Sequence, residues 1–320
     1  MTRFLNPAGP LRLESLRAYI DRDREISEHF ITFPIGGRPG IGVISLPTGR
    51  RRDLGWVICH SFGTEQSNLQ PLEVASARSL AGQGFPVLRY HARGYGESHA
   101  PIEEVGLDSQ VADAMDACTA LLSATNVPAV GLLGARFGGT VAALVADRID
   151  AKAVVLWDPA LSGKAYLNSI VRAGLVIELA DTGRPTSQAR EPAEILAEDG
   201  VLDVQGFPVT ARAFDEISAL SLVKVMEGFR SDALVLQVSR SPHPNAGLQR
   251  LADRINRLGG SATLDIVTDP EAPRFGLPRF LPTGEGDKTD RQARLSATLI
   301  ERTVAWCVAR STATAQRGVG

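Results

Sequence analysis

The sequence is poor in the features that mark several classes of protein. Of its 320 residues only three are cysteine and 6% are aromatic, and no run approaches 18 uncharged apolar residues. Without such a run no transmembrane helix is expected, and the first thirty residues lack the apolar core of a signal peptide. We therefore predict a protein with no membrane span that works in the cytoplasm.

Neither sign of charge is in excess. The chain has 34 Lys+Arg against 36 Asp+Glu, a formal net charge of -2, so it lacks the basic surplus expected for nucleic acid or an anionic membrane. Hydrophobic residues make up 44% and charged residues 22%, which are ordinary globular values and exclude a disordered or fibrous chain. The predicted partner is a small molecule and not nucleic acid.

The motifs of metal and cofactor sites are also missing. Cys59, Cys118 and Cys307 are far apart and odd in number, which favours reduced thiols over a disulfide framework. There is no Walker, HExxH or EF-hand sequence, and Gly94-Tyr95-Gly96 lacks the third glycine of a dinucleotide fingerprint. We expect no metal, flavin or nicotinamide.

Apolar runs alternate with helical stretches over most of the chain. Residues 1–29 predict a polar helical lead-in, and residues 30–35 and 41–46 predict a hairpin around a glycine-rich turn. From residue 55 the alternation is typical of an α/β protein with a mostly parallel, doubly wound sheet. The predicted strands lie at 56–60, 86–90, 129–134, 153–157, 233–239 and 262–267, and the predicted helices at 69–82, 108–124, 138–148, 246–258 and 292–310.

The alternation of predicted strands and helices stops between residues 160 and 226. This stretch predicts an inserted helical cap at 161–225, placed over the carboxyl ends of the strands, where open α/β sheets bind ligands. Residues 30–160 and 226–310 would then form one core. The small, polar residues 311–320 predict a flexible tail.

The most specific segment is an apolar strand that runs through Gly134-Ala135-Arg136-Phe137-Gly138-Gly139 directly into a helix. It resembles the nucleophile elbow of the α/β-hydrolase superfamily, in which G-x-S-x-G places a nucleophile on a tight strand-to-helix turn. The resemblance implies that superfamily's fold. Here Arg136 stands in the nucleophile position, and a protonated guanidinium is no acyl nucleophile.

Other parts of the chain support the same resemblance. His60-Ser61-Phe62 follows the strand where the superfamily has its oxyanion loop, which implies that the backbone amides of Phe62 and Phe137 are oxyanion donors. The loop after residue 239, where the superfamily acid usually lies, contains no carboxylate, and no histidine follows His243. With nucleophile, acid and base all missing, the resemblance leaves only a pseudo-triad and argues against a Ser-His-Asp mechanism.

A narrower resemblance accounts for the arginine. The chain is similar to exosortase-associated hydrolase-like proteins and their relatives in bacterial biosynthetic clusters, which carry Arg at the elbow. Glu65 and Asn68 match the spacing of their P-F-x-x-E-x-x-N loop, although Ser61 replaces the proline. Residues 156–167 and 200–210 also resemble their sequences. This implies a role in bacterial secondary metabolism or envelope-polysaccharide biosynthesis.

Two interpretations of Arg136 remain open. It either binds a substrate anion at a helix N-terminus or is a structural arginine paired with Glu65 or Asp158. The candidate catalytic residues are Arg136, Glu65, Asp158, His243 and His60, and the candidate oxyanion or substrate-binding residues are Phe62, Phe137, Asn68 and Ser61.

Three functions follow from these candidates. The first is an enzyme with a non-standard active site that acts on an acyl or carboxylate-bearing metabolite by non-hydrolytic addition, elimination, rearrangement or acyl transfer. The second is a catalytically silent pseudo-hydrolase that serves as a binding or scaffold protein. The third, a hydrolase with Ser61 as a relocated nucleophile, would require Ser61 to lie beside a base. The oligomeric state is left open, with a homodimer as one option.

Overall fold

The computed structural model describes residues 19–98, 100–182, 191–269, 275–276 and 288–317. Strand β1 (Tyr19–Asp21) pairs antiparallel with β2 (Ile26–Ile35), which pairs antiparallel with β3 (Arg38–Pro47). Gly36 and Gly37 form the turn between β2 and β3 with positive φ, which suits a tight two-residue hairpin. The predicted hairpin is confirmed.

The helical prediction for the first 29 residues is wrong from residue 19 onward, because β1 and β2 occupy this stretch; residues 1–18 lie outside the described part. The polar composition of this stretch led to the wrong prediction of a helix. Burial alternates with a period of two in each half of β2, with a change of phase at His29 and Phe30. Glu28 is buried because it pairs with Arg78 and Arg89. A charge that suggests an exposed helix face is here neutralised inside the protein.

Six further strands form the parallel part of the sheet. They are β4 (Leu54–Cys59), β5 (Val87–Tyr90), β6 (Ala129–Ala135), β7 (Ala153–Trp157), β10 (Asp232–Ser239) and β11 (Ser261–Thr268). The order across the nine-stranded sheet is β1-β2-β3-β5-β4-β6-β7-β10-β11. All pairs from β5 to β11 are parallel, so the predicted mostly parallel sheet is confirmed.

Helices cover both faces of this sheet. On one face α2 (Leu107–Thr125), α3 (Phe137–Arg148) and α8 (Ala246–Leu258) share a hydrophobic core with one side of the strands. On the other face α1 (Glu65–Gly82) and α9 (Lys288–Arg317) form a second core. The strands are buried from both sides, which explains their continuous apolar sequences. Helix α9 continues to Arg317, into the stretch predicted as a flexible tail.

Between β7 and β10 the chain forms a separate group of elements. These are α4 (Gly163–Thr182), α5 (Pro192–Asp199), β8 (Val201–Val204), β9 (Phe207–Thr210), α6 (Ala211–Ala219) and α7 (Leu222–Val225). Strands β8 and β9 pair antiparallel, so the stretch predicted as helical also contains a hairpin. In the described part of the chain no helix is both long and apolar enough to cross a membrane.

Candidate functional site

Arg136 lies on the turn that joins β6 to α3. Its φ of 52° and ψ of -122° are strained for a residue with a side chain, and its backbone N–H donates to the carbonyl of Trp157 at 2.8 Å. A Cβ on Gly134 would collide with Gly138, and one on Gly138 would collide with the carbonyl of Cys59. Only glycine at these positions allows the strand and helix to pack so closely. The predicted tight strand-to-helix turn is confirmed.

The Arg136 side chain is held between two carboxylates. Its Nε lies 3.1 Å from Glu65 Oε1 and its Nη1 lies 3.0 Å from Asp158 Oδ2. Burial lowers the pKa of Arg136, but the charges of Glu65 and Asp158 outweigh this and raise it. The guanidinium is therefore permanently charged. Two of its five N–H donors are used in these pairs, and the other three have no acceptor among the residues that the structure describes.

Glu65 is the first residue of α1, and its side chain is only 5% exposed. The hydroxyl of Tyr166, which comes from α4, donates to Glu65 Oε2 at 2.9 Å. Gly276 packs against the same carboxylate with a φ of +85°, and a Cβ there would lie 2.7 Å from Glu65 Oε1. Glu65 thus joins three separate chain segments and fixes Arg136 in place.

Asp158 directly follows β7 and also has a positive φ, 45°. Its backbone N–H donates to the carbonyl of Leu236 at 2.8 Å, which holds the residue level with the neighbouring strand β10. The side chain is 27% exposed. Burial raises the pKa of its carboxyl group, and the pairing with Arg136 only partly opposes this.

His60 and Ser61 are buried and already engaged. The Nδ1 of His60 lies 2.8 Å from the Ser61 carbonyl, and its Nε2 accepts from the Ala92 N–H at 3.2 Å. Burial lowers the pKa of His60 to about 4, so the ring is neutral near pH 7. The Ser61 hydroxyl donates to the Ala135 carbonyl at 2.7 Å and accepts from the Gly138 N–H at 3.3 Å. Ser61 holds the loop after β4 against the turn after β6, and His60 holds the same loop against the loop after β5.

Phe62 and Phe137, whose backbone amides are the predicted oxyanion donors, have side chains in contact. The rings of Phe62 and Phe137 are 5.7 Å apart, and neither residue's backbone N–H has a hydrogen-bond acceptor among the described residues. The space around them is filled by aromatic rings. Phe137 stacks on Tyr166, and Phe62 packs edge-on against Phe207 from the β8–β9 hairpin. A small cavity of about 10 Å³ lies beside Phe62 and Glu65.

The remaining candidates, Asn68 and His243, make no hydrogen bond to Arg136 in the described part of the chain. Asn68 is half-buried on α1, and its Nδ2 donates to the Gly276 carbonyl at 3.3 Å. His243 is exposed on the loop after β10, where its carbonyl accepts from Gln237 Nε2 at 3.1 Å. Its side chain does not line the cleft described next. The structure brings Glu65, Arg136 and Asp158 together but keeps His243 apart from them.

A cleft of about 860 Å³ opens on the Asp158 side of Arg136. One wall is formed by α4 and the other by the end of β10 with the loop that follows it. Besides Arg136 and Asp158 it is lined by Ala165, Asn168, Ser169, Arg172, Ala173, Val176, Gln237, Val238, Ser239, Arg240, Asn245 and Phe275. The size suits a small molecule, and the lining offers both hydrogen-bonding and cationic groups. Within the described residues no cluster of His, Cys, Asp and Glu is arranged to hold a metal ion.

The sequence alone did not identify several residues of this site. Tyr166 and Arg172 lie in the insertion that follows β7, and Gly276 lies much further toward the C-terminus. A signal existed for Tyr166, because it belongs to the segment 156–167 that carries the narrower resemblance. For Arg172 and Gly276 the sequence offers only a helical arginine and one glycine among 31.

Comparison with known families decides the classification. Residues 56–242, more than half of the chain, match the sequence profile of the serine aminopeptidase S33 family. The chain belongs to this family. It is therefore related to hydrolases of the esterase and peptidase type. No curated protein sequence matches this chain.

Solved structures show the fold. Proline iminopeptidase from Mycobacterium smegmatis is 14% identical with a TM-score of 0.56, covering 89% of this chain and 99% of its own. Est1E from Butyrivibrio proteoclasticus, solved with ferulic acid bound, is 16% identical with a TM-score of 0.54, covering 74% and 89%. The esterase domain of a Rhodothermus marinus protein is 19% identical with a TM-score of 0.52, covering 88% and 98%. The expected α/β-hydrolase fold is confirmed.

Proposed function

We propose that this S33 family member is a hydrolase-fold enzyme that acts on an acyl or carboxylate-bearing small molecule without a covalent serine intermediate. The observation that carries the proposal is the cleft of about 860 Å³ into which both Arg136 and the partly exposed Asp158 side chain open. Residues 161–225 act in this proposal as the cap of the cleft, over a core of residues 30–160 and 226–310. The homodimer and the cytoplasmic location stay predictions.

A serine mechanism fits this geometry poorly. In the proposal Arg136 occupies the nucleophile position of the elbow, and it cannot lose its proton to attack a carbonyl. The nearby Ser61 hydroxyl is buried and donates to a backbone carbonyl. The arginine is then a feature shared with exosortase-associated hydrolase-like proteins, and a setting in bacterial biosynthesis is proposed on that resemblance alone.

The charges around Arg136 favour a carbonyl oxygen over a full anion at this position. One guanidinium faces two carboxylates, Glu65 and Asp158, so the trio carries one net negative charge when both acids are ionised. A substrate carboxylate would meet this negative charge directly. A neutral carbonyl oxygen can instead accept from one of the unused N–H donors of Arg136, and that bond strengthens as negative charge develops on the oxygen.

Asp158 is the proton-transfer group in this proposal. It lies in hydrogen-bond contact with Arg136, so it would be adjacent to a carbonyl held by the guanidinium. Its raised pKa makes the ionised carboxylate a stronger base than an ordinary aspartate. The proton would come from a carbon next to the carbonyl or from a water molecule. Either would permit addition, elimination or rearrangement without an acyl-enzyme.

A second candidate, a catalytically silent binding protein, is favoured by a different observation. The side of Arg136 that faces Phe62 and Phe137 is closed by aromatic rings, and His60 and Ser61 are engaged in structural hydrogen bonds. The cleft would then serve recognition alone. Ligand binding without turnover is the outcome that this candidate predicts.

The test combines binding with turnover. A thermal-shift screen of carboxylates, acyl thioesters and sugar phosphates identifies ligands of the wild type, and mass spectrometry then measures conversion of each ligand. We expect Asp158→Asn to lose at least about 100-fold in turnover, because it removes the proton-transfer group, while the ligand still raises the melting temperature.

The matched control is Asp150→Asn. Asp150 is an exposed aspartate paired with Lys152, and its loss should leave turnover unchanged. If Asp158→Asn retains the wild-type rate, Asp158 is not the proton-transfer group. If the wild type binds ligands but converts none of them, the binding protein replaces the enzyme.

A further inference from the structure

One wall of the cleft is a single face of α4. Ala165, Asn168, Arg172 and Val176 recur every three or four residues, which places them in one line along the helix. Tyr166, at the start of this helix, contacts Glu65 and so marks the inner end of the cleft. At about 1.5 Å of rise per residue, Arg172 lies roughly 9 Å further along the helix axis.

The opposite wall follows β10 outward. Asp158 is bonded to the carbonyl of Leu236, so it is level with that residue. Arg240 comes four residues later, and at about 3.3 Å per extended residue it reaches up to about 13 Å beyond Asp158. Arg172 and Arg240 therefore line the outer part of the cleft from its two walls, about 10 Å from the inner carboxylates.

The two ends of the cleft differ in charge. The inner end holds Arg136 with two carboxylates, a net charge of one negative unit when both are ionised. The outer end holds the guanidinium of Arg172, which is exposed and makes no ion pair with any residue that the structure describes. A cleft polarised in this way repels an anion at its inner end and attracts one at its outer end.

We propose that Arg172 is an anion-recognition residue, and that the substrate carries a terminal carboxylate or phosphate about 10 Å from the carbonyl group that meets Asp158. This inference rests on the proposed function for the identity of the inner end, and it differs from the sequence-based hypothesis in which Arg136 itself holds the anion. Arg240 lies on the facing wall. The shared chemistry is a terminal oxyanion, bound by a guanidinium.

The experiment uses esters of matched length as probes. Monomethyl suberate carries an ester at one end and a carboxylate at the other, methyl 6-(phosphonooxy)hexanoate replaces the carboxylate by a phosphate, and dimethyl suberate is the uncharged analogue. Monomethyl succinate is too short to span the cleft. Dissociation constants are measured by calorimetry for the wild type, Arg172→Gln, Arg172→Lys and Arg148→Gln.

We expect the wild type to bind the two long charged esters more tightly than the uncharged diester. Arg172→Gln should weaken binding of the charged esters by about five- to tenfold and leave the diester unchanged. Arg172→Lys should retain part of the preference, because the charge is kept but the planar fork is lost. Arg148 is an exposed arginine at the end of α3, and Arg148→Gln should have no effect.

The dissociation constants of the carboxylate ester and the phosphate ester, compared with each other, show which oxyanion the cleft prefers. A wild type that binds no charged ester more tightly than the diester overturns the inference, and so does an Arg172→Gln variant that weakens charged and uncharged esters equally. Since all readouts are dissociation constants, they are independent of turnover. A failure of catalysis at Asp158 can thus be told apart from a failure of anion recognition at Arg172.

Discussion

Removing the Arg136 guanidinium is the most direct perturbation of this site. Arg136→Met keeps a long unbranched side chain on the turn but deletes the charge that Glu65 and Asp158 share. Glu65 is then left almost fully buried with the Tyr166 hydroxyl as its polar partner. An uncompensated buried carboxylate destabilises the folded protein far more than the loss of a surface ion pair does.

The size of the effect follows from the exposure of the three side chains. Removing one partner of a fully buried ion pair costs about 3–5 kcal/mol. Arg136 and Asp158 are 23% and 27% exposed, so water screens part of their interaction, whereas Glu65 is 5% exposed and is not screened. We therefore expect Arg136→Met to lose about 2–4 kcal/mol of unfolding free energy near pH 7.

The loss should also depend on pH. Burial raises the folded-state pKa of Asp158 and Arg136 opposes this rise, so the variant raises that pKa further. A carboxyl group whose folded pKa exceeds its unfolded value stabilises the protein fully at acid pH, and that stability is lost as the pH rises through the folded pKa. The deficit of Arg136→Met should be smallest near about pH 4 and grow toward neutral pH.

Equilibrium urea unfolding of both proteins across this pH range measures the deficit. Arg172→Met is the control, because it makes the same chemical change in the same cleft at a residue with no ion pair in the described structure, and it should cost less than about 0.5 kcal/mol. Equal losses in Arg136→Met and Arg172→Met, or a deficit that does not change with pH, would refute the reasoning.

Three further predictions follow from the structure. Gly276→Ala places a side chain in the left-handed region of φ and against Glu65, so urea unfolding should show a loss of about 2–3 kcal/mol in unfolding free energy. Gly206 has a similar φ but open space around it, so the control Gly206→Ala should lose about 1 kcal/mol. Burial raises the pKa of Glu73 to about 8, against the opposing charge of Arg89. The unfolding free energy of the wild type relative to Glu73→Gln should therefore fall as the pH rises through about 8. A difference between the two proteins that stays constant between about pH 6 and pH 9 would contradict this. A serine-reactive fluorophosphonate should not label the folded protein, because Ser61 is buried and hydrogen-bonded. Labelling under conditions that label a serine esterase would instead support the hypothesis of a hydrolase with Ser61 as its nucleophile.

Much of the core could be predicted from the sequence because its signals are local. The apolar runs that became β4, β6 and β7 are buried on both faces and are therefore apolar at successive positions. The strand-to-helix turn at Arg136 was predictable for the same reason, since Gly134 and Gly138 are required by close contacts between neighbouring segments. The first residues of β2 were missed because Glu28, a charged residue, is buried through ion pairs with distant arginines.

The sequence by itself determined the sheet, the turn and the presence of an arginine where a nucleophile would stand. It left open whether that arginine is free to bind an anion or is paired, and both Glu65 and Asp158 were candidates. Only the tertiary structure decided that Arg136 pairs with both, because these carboxylates reach it from α1 and from the end of β7. The same holds for Arg172, whose position in the cleft depends on how α4 packs against α6 and β8. Distances between segments far apart in the chain are set by packing of the whole domain, and no local pattern records them.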